Sequence, residues 1–332
     1  MGVVKLINSL VRNFSRSTTN IQEITVPTFS NLMVNVPSKL HIESLNVHKY
    51  PNCDRLILEE NLEHCIEDDN IKITNKSKDY NNNYCSAIVA PIKANLDVKS
   101  KKDVLVGSFN NDFIKVESDN GNISLKNYYG DQLNLVTNKG NIEIKGPVQS
   151  SKFFGSVYKS GSITTGKLHC LDVHLKINEG FINISSSYSE KSKFEANKGE
   201  LQLNNIHKNC TIILKKGKLN LAGFDGNLNV IVEKGDANIQ ISRLIENSAI
   251  KIENGNLNLK LSEECQETCE FKINSKNVKI DNSMNVKIQN DTYSFQKGDK
   301  SGKLSIECLN GDVNIESSSW EDLFKSKFIK KI

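Results

Sequence analysis

No stretch of this sequence approaches 18 apolar residues, which excludes a transmembrane helix. Three Met, one Trp and 5 Pro in 332 residues argue against a helical, cofactor-lined core. There is no Cys-x-x-Cys, no Gly-x-x-x-x-Gly-Lys-Ser/Thr, no Gly-x-Gly-x-x-Gly ahead of a helix and no calcium-loop string. The eight cysteines (Cys53, Cys65, Cys85, Cys170, Cys210, Cys265, Cys269 and Cys308) lack zinc-finger spacing. Cys265 and Cys269 have three residues between them and no nearby His, so the thiols read as scattered. The six histidines are equally dispersed. His174 faces outward on a strand and His207 sits in a turn, neither beside a Ser or Cys nucleophile. No catalytic, cofactor or metal residue is assigned, and the chain reads as a non-enzyme. Charge of either sign is scarce in surplus: Lys plus Arg is 43 against 39 Asp plus Glu. Three of those bases (Lys5, Arg12 and Arg16) lie in the first twenty residues, so the remainder is nearly neutral. Such a body has no strong phosphate-binding field, and a nucleic-acid partner is not expected.

The first twenty residues also lack any acid. On a helical wheel Val3, Leu6, Ile7, Leu10, Val11 and Phe14 share one side, with Lys5, Asn8, Ser9, Arg12 and Arg16 opposite. A positive amphipathic helix of this kind is favoured by a mitochondrial import receptor and by a membrane potential. Arg12-Asn13-Phe14-Ser15 resembles a processing site cut after Phe14. A secretory signal needs an unbroken apolar core, which Asn8, Ser9 and Arg12 interrupt. Leu6 stands where a myristoylation motif needs Ser or Thr. The expected address is the mitochondrial matrix, where most thiols stay reduced.

What the sequence does have is a phrase, Gly-x-apolar-x-apolar, that keeps returning. It begins at Gly121, Gly140, Gly161, Gly180, Gly199, Gly217, Gly235 and Gly255, recurs without its glycine at Lys276, and returns at Gly311. Intervals from Gly121 to Lys276 are 19, 21, 19, 19, 18, 18, 20 and 21; the last is 35. Periods near 20 mark a solenoid. Within each phrase the apolar residues alternate, as Ile123 and Leu125 do, which is strand periodicity. A second strand follows in most coils, at Leu133/Leu135, Val173/Leu175, Phe194/Ala196, Ile212/Leu214, Val230/Val232, Ile250/Ile252 and Phe271/Ile273. The expected fold is all-β: a single-stranded, right-handed parallel β-solenoid, with coils of about 19 residues and two strands each. The glycines would line one corner, where tight turns need positive φ.

Residues 21–100 read as an irregular β N-terminal cap, with strands in KLHIESLNV, RLILEE, IKITN and IKANLDVKS and loops in IEDDN and KSKDYNNNY. The solenoid proper is expected over 101–316, interrupted by a β excursion at 281–310. A short C-terminal capping helix is expected over 317–332, with Trp320, Leu323, Phe324 and Phe328 on one face. That helix reads first as a lid and second as a weak membrane contact or partner helix.

The outward residue three after each glycine is an amide in five consecutive coils: Asn183, Gln202, Asn220, Asn238 and Asn258. At a strand spacing of ~4.8 Å these side chains can bond into a ladder. The ladder is a register lock or a polar face for sugar or protein. Amides do not titrate, so it cannot do acid–base work.

The coils from Gly121 to about Ile315 resemble the adhesin-type domain, a β-solenoid family of unknown function common in bacteria. YPNCDR at Tyr50–Arg55 and APIKANLDV at Ala90–Val98 look like the animal family called family with sequence similarity 185 member A. The resemblance covers most of residues 21–316 and implies a single solenoid with an uncharacterised role. It brings no catalytic motif, and Lys276 and the 281–310 excursion depart from it. The expected function is a non-catalytic mitochondrial scaffold or binding surface for another protein. The alternative is a carbohydrate-binding or carbohydrate-active β-helix protein.

Residues 1–20 fused to a reporter are expected to carry it into mitochondria, with cleavage after Phe14. Exchanging Arg12 and Arg16 for Glu should leave the fusion in the cytosol, as fluorescence microscopy and N-terminal sequencing would show.

Overall fold

A strand of 38 residues, drawn straight, would run on the order of 125 Å. In the computed structural model of this protein, which describes residues 21–76, 84–282, 284, 286–289, 292–295 and 302–318, His207–Leu244 is one such unbroken ladder. Glycines fold it back on itself: Gly217 and Gly235 hold φ at +144° and +137°, which L side chains rarely adopt. The presequence-like residues 1–20 lie outside the described residues, as do positions 319–332 of the expected C-terminal helix. The chain divides into two compact units, Met1–Lys159 and Ser160–Ile332.

The first unit holds β1 (Ile21–Thr25), β2 (Asn31–Val36), β3 (Lys39–Ser44), β4 (Arg55–Glu59), β5 (Leu62–Glu67), β6 (Asn70–Asn75), β7 (Cys85–Ala90), β8 (Asn95–Ser100), β9 (Val104–Ser118), β10 (Ile123–Lys139), β11 (Ile142–Ile144) and the start of β12 (Val148–Ser187). From β9 onward neighbouring strands are parallel and in register 19 residues apart: Val104 faces Ile123, Ile114 faces Leu133, and Ile123 faces Ile142. Before β9 the coils leave chain order. Leu32 of β2 pairs with Ile71 on one side and Leu96 on the other. Ile42 of β3 pairs likewise with Ile88 and Val106. The β2–β3 coil therefore lies between the later β6–β7 and β8–β9 coils. The outer edges of β6 and β7 are covered by antiparallel β5 and β4, and β1 pairs with β4. A parallel stack leaves open backbone groups at its end, and these strands cover them.

Two sequence segments have structural work here. In YPNCDR the Cys53 N–H donates to the Tyr50 carbonyl (2.9 Å), with Cys53 at φ +49°. Arg55 then donates from Nη1 to Thr25 Oγ1 (2.7 Å), and Tyr50 and Ile21 pack on Leu45, Ile57 and Val89. In APIKANLDV, Ala90 and Ala94 are fully buried. Asn95 donates from Nδ2 to Asn31 Oδ1 (3.0 Å) and accepts the Phe113 N–H at Oδ1 (3.0 Å). Glu59 is buried beside β7, accepting from the Tyr84 hydroxyl (2.9 Å) and the Ala87 N–H (3.0 Å); burial nevertheless raises its pKa.

The second unit continues β12 from Ser160. It adds β13 (Lys191–Asn204), β14 (His207–Leu244), β15 (Asn247–Asn254), β16 (Leu257–Ser262), a one-turn helix α1 (Glu263–Thr268), β17 (Cys269–Ile280), β18 (Val286–Gln289), β19 (Thr292–Phe295) and β20 (Gly302–Ser318). Offsets of 19, 18 and 20 appear at Ile182/Leu201, Leu201/Leu219 and Ala237/Leu257. The coils then leave chain order again. The sequence pattern places the Lys276 phrase directly after Gly255 and the Gly311 phrase last. In the structure β20 is inserted between them: Leu257 pairs with Val313, and Val313 with Val278. Steric demand explains the exchange. A β-carbon at Gly311 would stand 1.9 Å from the Gly255 carbonyl oxygen, so the coil next to Gly255 must carry glycine at that corner. The Lys276 coil has none. It stacks outermost, with its register against β20 slipping between Ser275 and Asn277 at that corner.

The excursion is correspondingly smaller than the expected 281–310. Among the described residues only β18 and β19 leave the stack, paired antiparallel, and β19 covers β17. KLSIE at Lys303–Glu307 belongs to a coil, with Leu304 and Ile306 buried. Ser317 and Ser318, expected to open the C-terminal helix, are still strand and pair with Leu261 and Ser262.

The alternating residues fill the interior. Ile142, Ile182, Leu219 and Leu257 are 0% exposed, and Phe194, Ile212, Val230, Ile250 and Phe271 of the second strand series are buried with them. Each such side chain contributes about 1.5–3 kcal/mol from burial. The corner tolerates less than the core. At Gly199, φ is +148° and a β-carbon would stand 1.7 Å from the Gly180 oxygen. Gly199→Ala is expected to cost about 3 kcal/mol or more. Gly107→Ala should cost under about 1 kcal/mol, because its β-carbon first meets the movable carboxylate of Glu43. Urea unfolding of the two variants separates these outcomes.

Candidate functional site

Outward positions on consecutive coils stand side by side, so a site on this frame is a column rather than a pocket of distant residues. The amide column is the first. Asn183, Gln202 and Asn220 are in register, as are Asn238 and Asn258. Asn258 donates from Nδ2 to Asn238 Oδ1 (2.9 Å), and Asn238 donates to Asn220 Oδ1 (2.8 Å). Asn220 turns to Glu200 Oε1 (2.9 Å), and Gln202 turns to Asn204 Oδ1 (3.3 Å). The structure thus joins Asn220, Asn238 and Asn258, and leaves Gln202 and Asn183 outside that chain. Asn314 is in register with Asn258 but donates to Glu316 (2.9 Å).

A second set of polar bonds was not foreseen. The residue following the corner glycine accepts the backbone N–H of its equivalent one coil on. Asn122 Oδ1 takes the Asn141 N–H (2.9 Å), Asp236 Oδ1 that of Asn256 (2.8 Å), and Asn256 Oδ1 that of Asp312 (3.0 Å). The signal was present as Asn or Asp directly after Gly121, Gly140, Gly235, Gly255 and Gly311. These bonds tie one turn to the next where Asn or Asp follows the glycine, and those side chains serve register.

The corner glycines themselves stack. In the second unit Gly180 faces Gly199 and Gly199 faces Gly217 in the ladder. β-carbons at Gly180, Gly235, Gly255 and Gly311 would strike Gly161, Gly217, Gly235 and Gly255. In the first unit Gly140 sits on Gly121 in the same way.

The most chemically varied column lies in the second unit, at residues no single-coil pattern marks. His169, Tyr188 and His207 stack ring on ring, with centroids 5.3 and 4.5 Å apart and planes within 13° and 16° of parallel. Lys167 Nζ lies 5.6 Å from the Tyr188 centroid. One coil further, Asp225 Oδ2 is 3.9 Å from His207 Nδ1, and Arg243 of the next coil grips Asp225 through Nε and Nη2 (3.0 and 3.1 Å). Five successive coils so contribute His, Tyr, His, Asp and Arg at intervals of 19, 19, 18 and 18. Tyr188 is 44% exposed. Leu171 and Ile245, two residues past either end of the column, are 60% and 50% exposed. Burial lowers the His207 pKa, Asp225 opposes that shift and Arg243 adds to it.

The first unit carries a cavity of about 250 Å³ lined by Phe29, Lys93, Asn111, Asp112, Asp131 and Ser151. Asp112 and Asp131 come from adjacent coils, since Asn111 faces Gly130 in the ladder. Asp131 is held below its ordinary value, chiefly by the Ser151 side chain. Among the described residues no three His, Cys, Asp or Glu side chains gather as a metal site, and no helix is long and apolar enough to cross a membrane. None of the eight cysteines is joined in a disulfide, and six of them are buried.

Comparison with known proteins bears on the frame. The family model described as toastrack DUF4097 matches residues 60–316. Among solved structures, an adhesin candidate from Parabacteroides merdae is 11% identical, with a TM-score of 0.40 and coverage of 91% of this chain and 98% of that one. Another from Parabacteroides distasonis is 10% identical (TM-score 0.39), with the same coverage of each chain, 91% and 98%. A candidate lipid-binding protein from Parabacteroides distasonis is 12% identical, with a TM-score of 0.37 and again 91% and 98% coverage. No curated protein matches the chain.

Asn238 bonds to both neighbours, so Asn238→Ala is expected to lower stability by about 1–2 kcal/mol, and Asn183→Ala by less. His207 supplies a pH dependence. Its folded-state pKa lies below the ordinary 6.5, so the unfolded chain takes up the proton more readily. Its contribution to stability is full above pH 6.5 and is lost as pH falls through the folded-state pKa. His207→Phe keeps a ring in the stack and should flatten that slope in thermal melts recorded between pH 7.5 and ~5.

Proposed function

This chain belongs to the toastrack DUF4097 family, and from that footing we propose that it is a non-catalytic β-solenoid protein that binds another protein through its outer columns. The supporting observation is the His169–Tyr188–His207–Asp225–Arg243 column. Tyr and Arg are the residues that dominate protein interfaces, and here both are held in fixed geometry by a hydrogen-bonded frame. Exposed Leu171 and Ile245 add apolar surface at its two ends. Stacked rings lose little conformational freedom on binding, so an interface built on them pays little to order itself.

We place this activity in mitochondria on the strength of the acid-free amphipathic segment at residues 1–20. Likeness to the animal family called family with sequence similarity 185 member A rests on Tyr50–Arg55 and Ala90–Val98, both of which tie the first unit together. The carbohydrate reading retains one observation in its favour: the cavity beside Phe29, with Asp112 and Asp131 on adjacent coils. Ring and paired carboxylates are a combination that holds sugars.

Proximity labelling with the full chain in mitochondria is expected to recover a reproducible set of partners. Tyr188→Ala combined with Arg243→Ala should remove most of that set while leaving the melting temperature close to that of the parent. Partners retained in full by the double variant would refute the column as the interface. Binding on a glycan array, lost on Asp131→Asn, would favour the carbohydrate reading instead.

A further inference from the structure

Cys265 and Cys269, four residues apart in no obvious motif, are brought side by side by α1. Their Sγ atoms are 3.8 Å apart and both side chains are buried. Ser262 caps the helix, its Oγ accepting the Cys265 N–H at 3.1 Å. Residues 265 and 269 are then four apart and share one face. Cys269 leaves the helix with extended backbone (φ −118°, ψ 148°) and lies opposite Gly302 in the ladder. A β-carbon at 302 would stand 2.9 Å from the Cys269 Sγ, so the glycine provides the space the sulfur occupies. Thr268 Oγ1 lies 3.7 Å from the same sulfur.

The surroundings make the two thiols unequal. The hydrogen bond from Cys265 lowers Cys269 to about 7, against burial, with help from Thr268 and the Leu244 backbone. The same bond, together with burial, holds Cys265 well above the ordinary thiol value. Cys210 is equally deep, and burial alone pushes its thiol up. One acidic thiol touching one protonated thiol is the arrangement of an attacking and a resolving cysteine.

We propose that Cys265 and Cys269 are a reversible redox dithiol, closed to an intrachain disulfide by a hydroperoxide. The Cys269 thiolate attacks the distal peroxide oxygen and the O–O bond breaks. The alcohol (water, from hydrogen peroxide) leaves with the proton Cys269 gave up, and Cys269 becomes a sulfenic acid. The Cys265 sulfur then attacks the Cys269 sulfur and the S–O bond breaks. Hydroxide departs as water, carrying the Cys265 proton. Two thiols are oxidised and one hydroperoxide is reduced. Access comes from opening of α1, which at six residues is too short to hold itself by its own hydrogen bonds. The step from β16 to β17 passes over the inserted β20 coil, and the disulfide would lock that crossover.

The test is differential alkylation of the full chain. After exposure to hydrogen peroxide, the protein is denatured, alkylated and digested with trypsin; both cysteines fall in the single peptide 261–272. The expected product is that peptide unalkylated and lighter than the dithiol form by about 2 Da, restored to a doubly alkylated peptide by dithiothreitol. In Cys265→Ser, Cys269 should instead be trapped as a sulfenic acid by a cyclic 1,3-dione, whereas Cys269→Ser should leave Cys265 unmodified. Full alkylation of the parent peptide after peroxide, or oxidation of Cys210 ahead of the pair, would overturn the proposal.

Discussion

A glycine carbonyl oxygen lies where the next coil's β-carbon would be, and this contact repeats at Gly180, Gly199, Gly217, Gly235, Gly255 and Gly311. The interior is permissive by comparison: Ile, Leu, Val, Phe and Ala all occupy equivalent inward positions. The close approach excludes a side chain at each of these glycines, and at Gly180, Gly199, Gly217, Gly235 and Gly255 positive φ disfavours one as well. Everything outward of that corner inherits its register from it. Asn and Asp following the glycine can tie one turn to the next only because the turns superpose. The His–Tyr–His stack is possible only because coils advance by a constant small step.

The same constraint orders the chain where it departs from simple succession. A coil lacking the corner glycine cannot sit against one that has it without a slip in register, and the Lys276 coil shows that slip. The Gly311 coil, later in sequence, takes the inner place. In the first unit an early coil is likewise enclosed between two later ones. In each case the exposed edge beyond is covered by antiparallel strands, β4 and β5 in one unit and the β18–β19 pair in the other. Parallel stacking has no intrinsic stop, and antiparallel pairing supplies one.

Much of this was legible in the residues. The Gly-x-apolar-x-apolar phrase located the strands and the buried faces, because alternation and the glycine corner are both local. What escaped was non-local. The inserted coils escaped because spatial neighbours 35 to 64 residues apart look no different in sequence from neighbours 19 apart. Asn31–Val36 and Cys85–Ala90 escaped as strands, since outside the glycine phrase alternation alone had to mark them. The column from His169 to Arg243 escaped because its members differ in type, so only the interval relates them. The cysteine pair escaped because four-residue spacing means proximity only on a helical turn, and nothing apolar-periodic announced α1. The amide column was seen, but the joined set ends at Asn220, since Asn220 donates to Glu200 and Gln202 to Asn204 instead of along the column.

A crystal structure of the full chain tests the stacking most directly. The account predicts Gly199 facing Gly217 in a parallel ladder, and Val313 lying between Leu257 and Val278. Antiparallel pairing of successive phrases, or Val278 directly against Leu257, would contradict it.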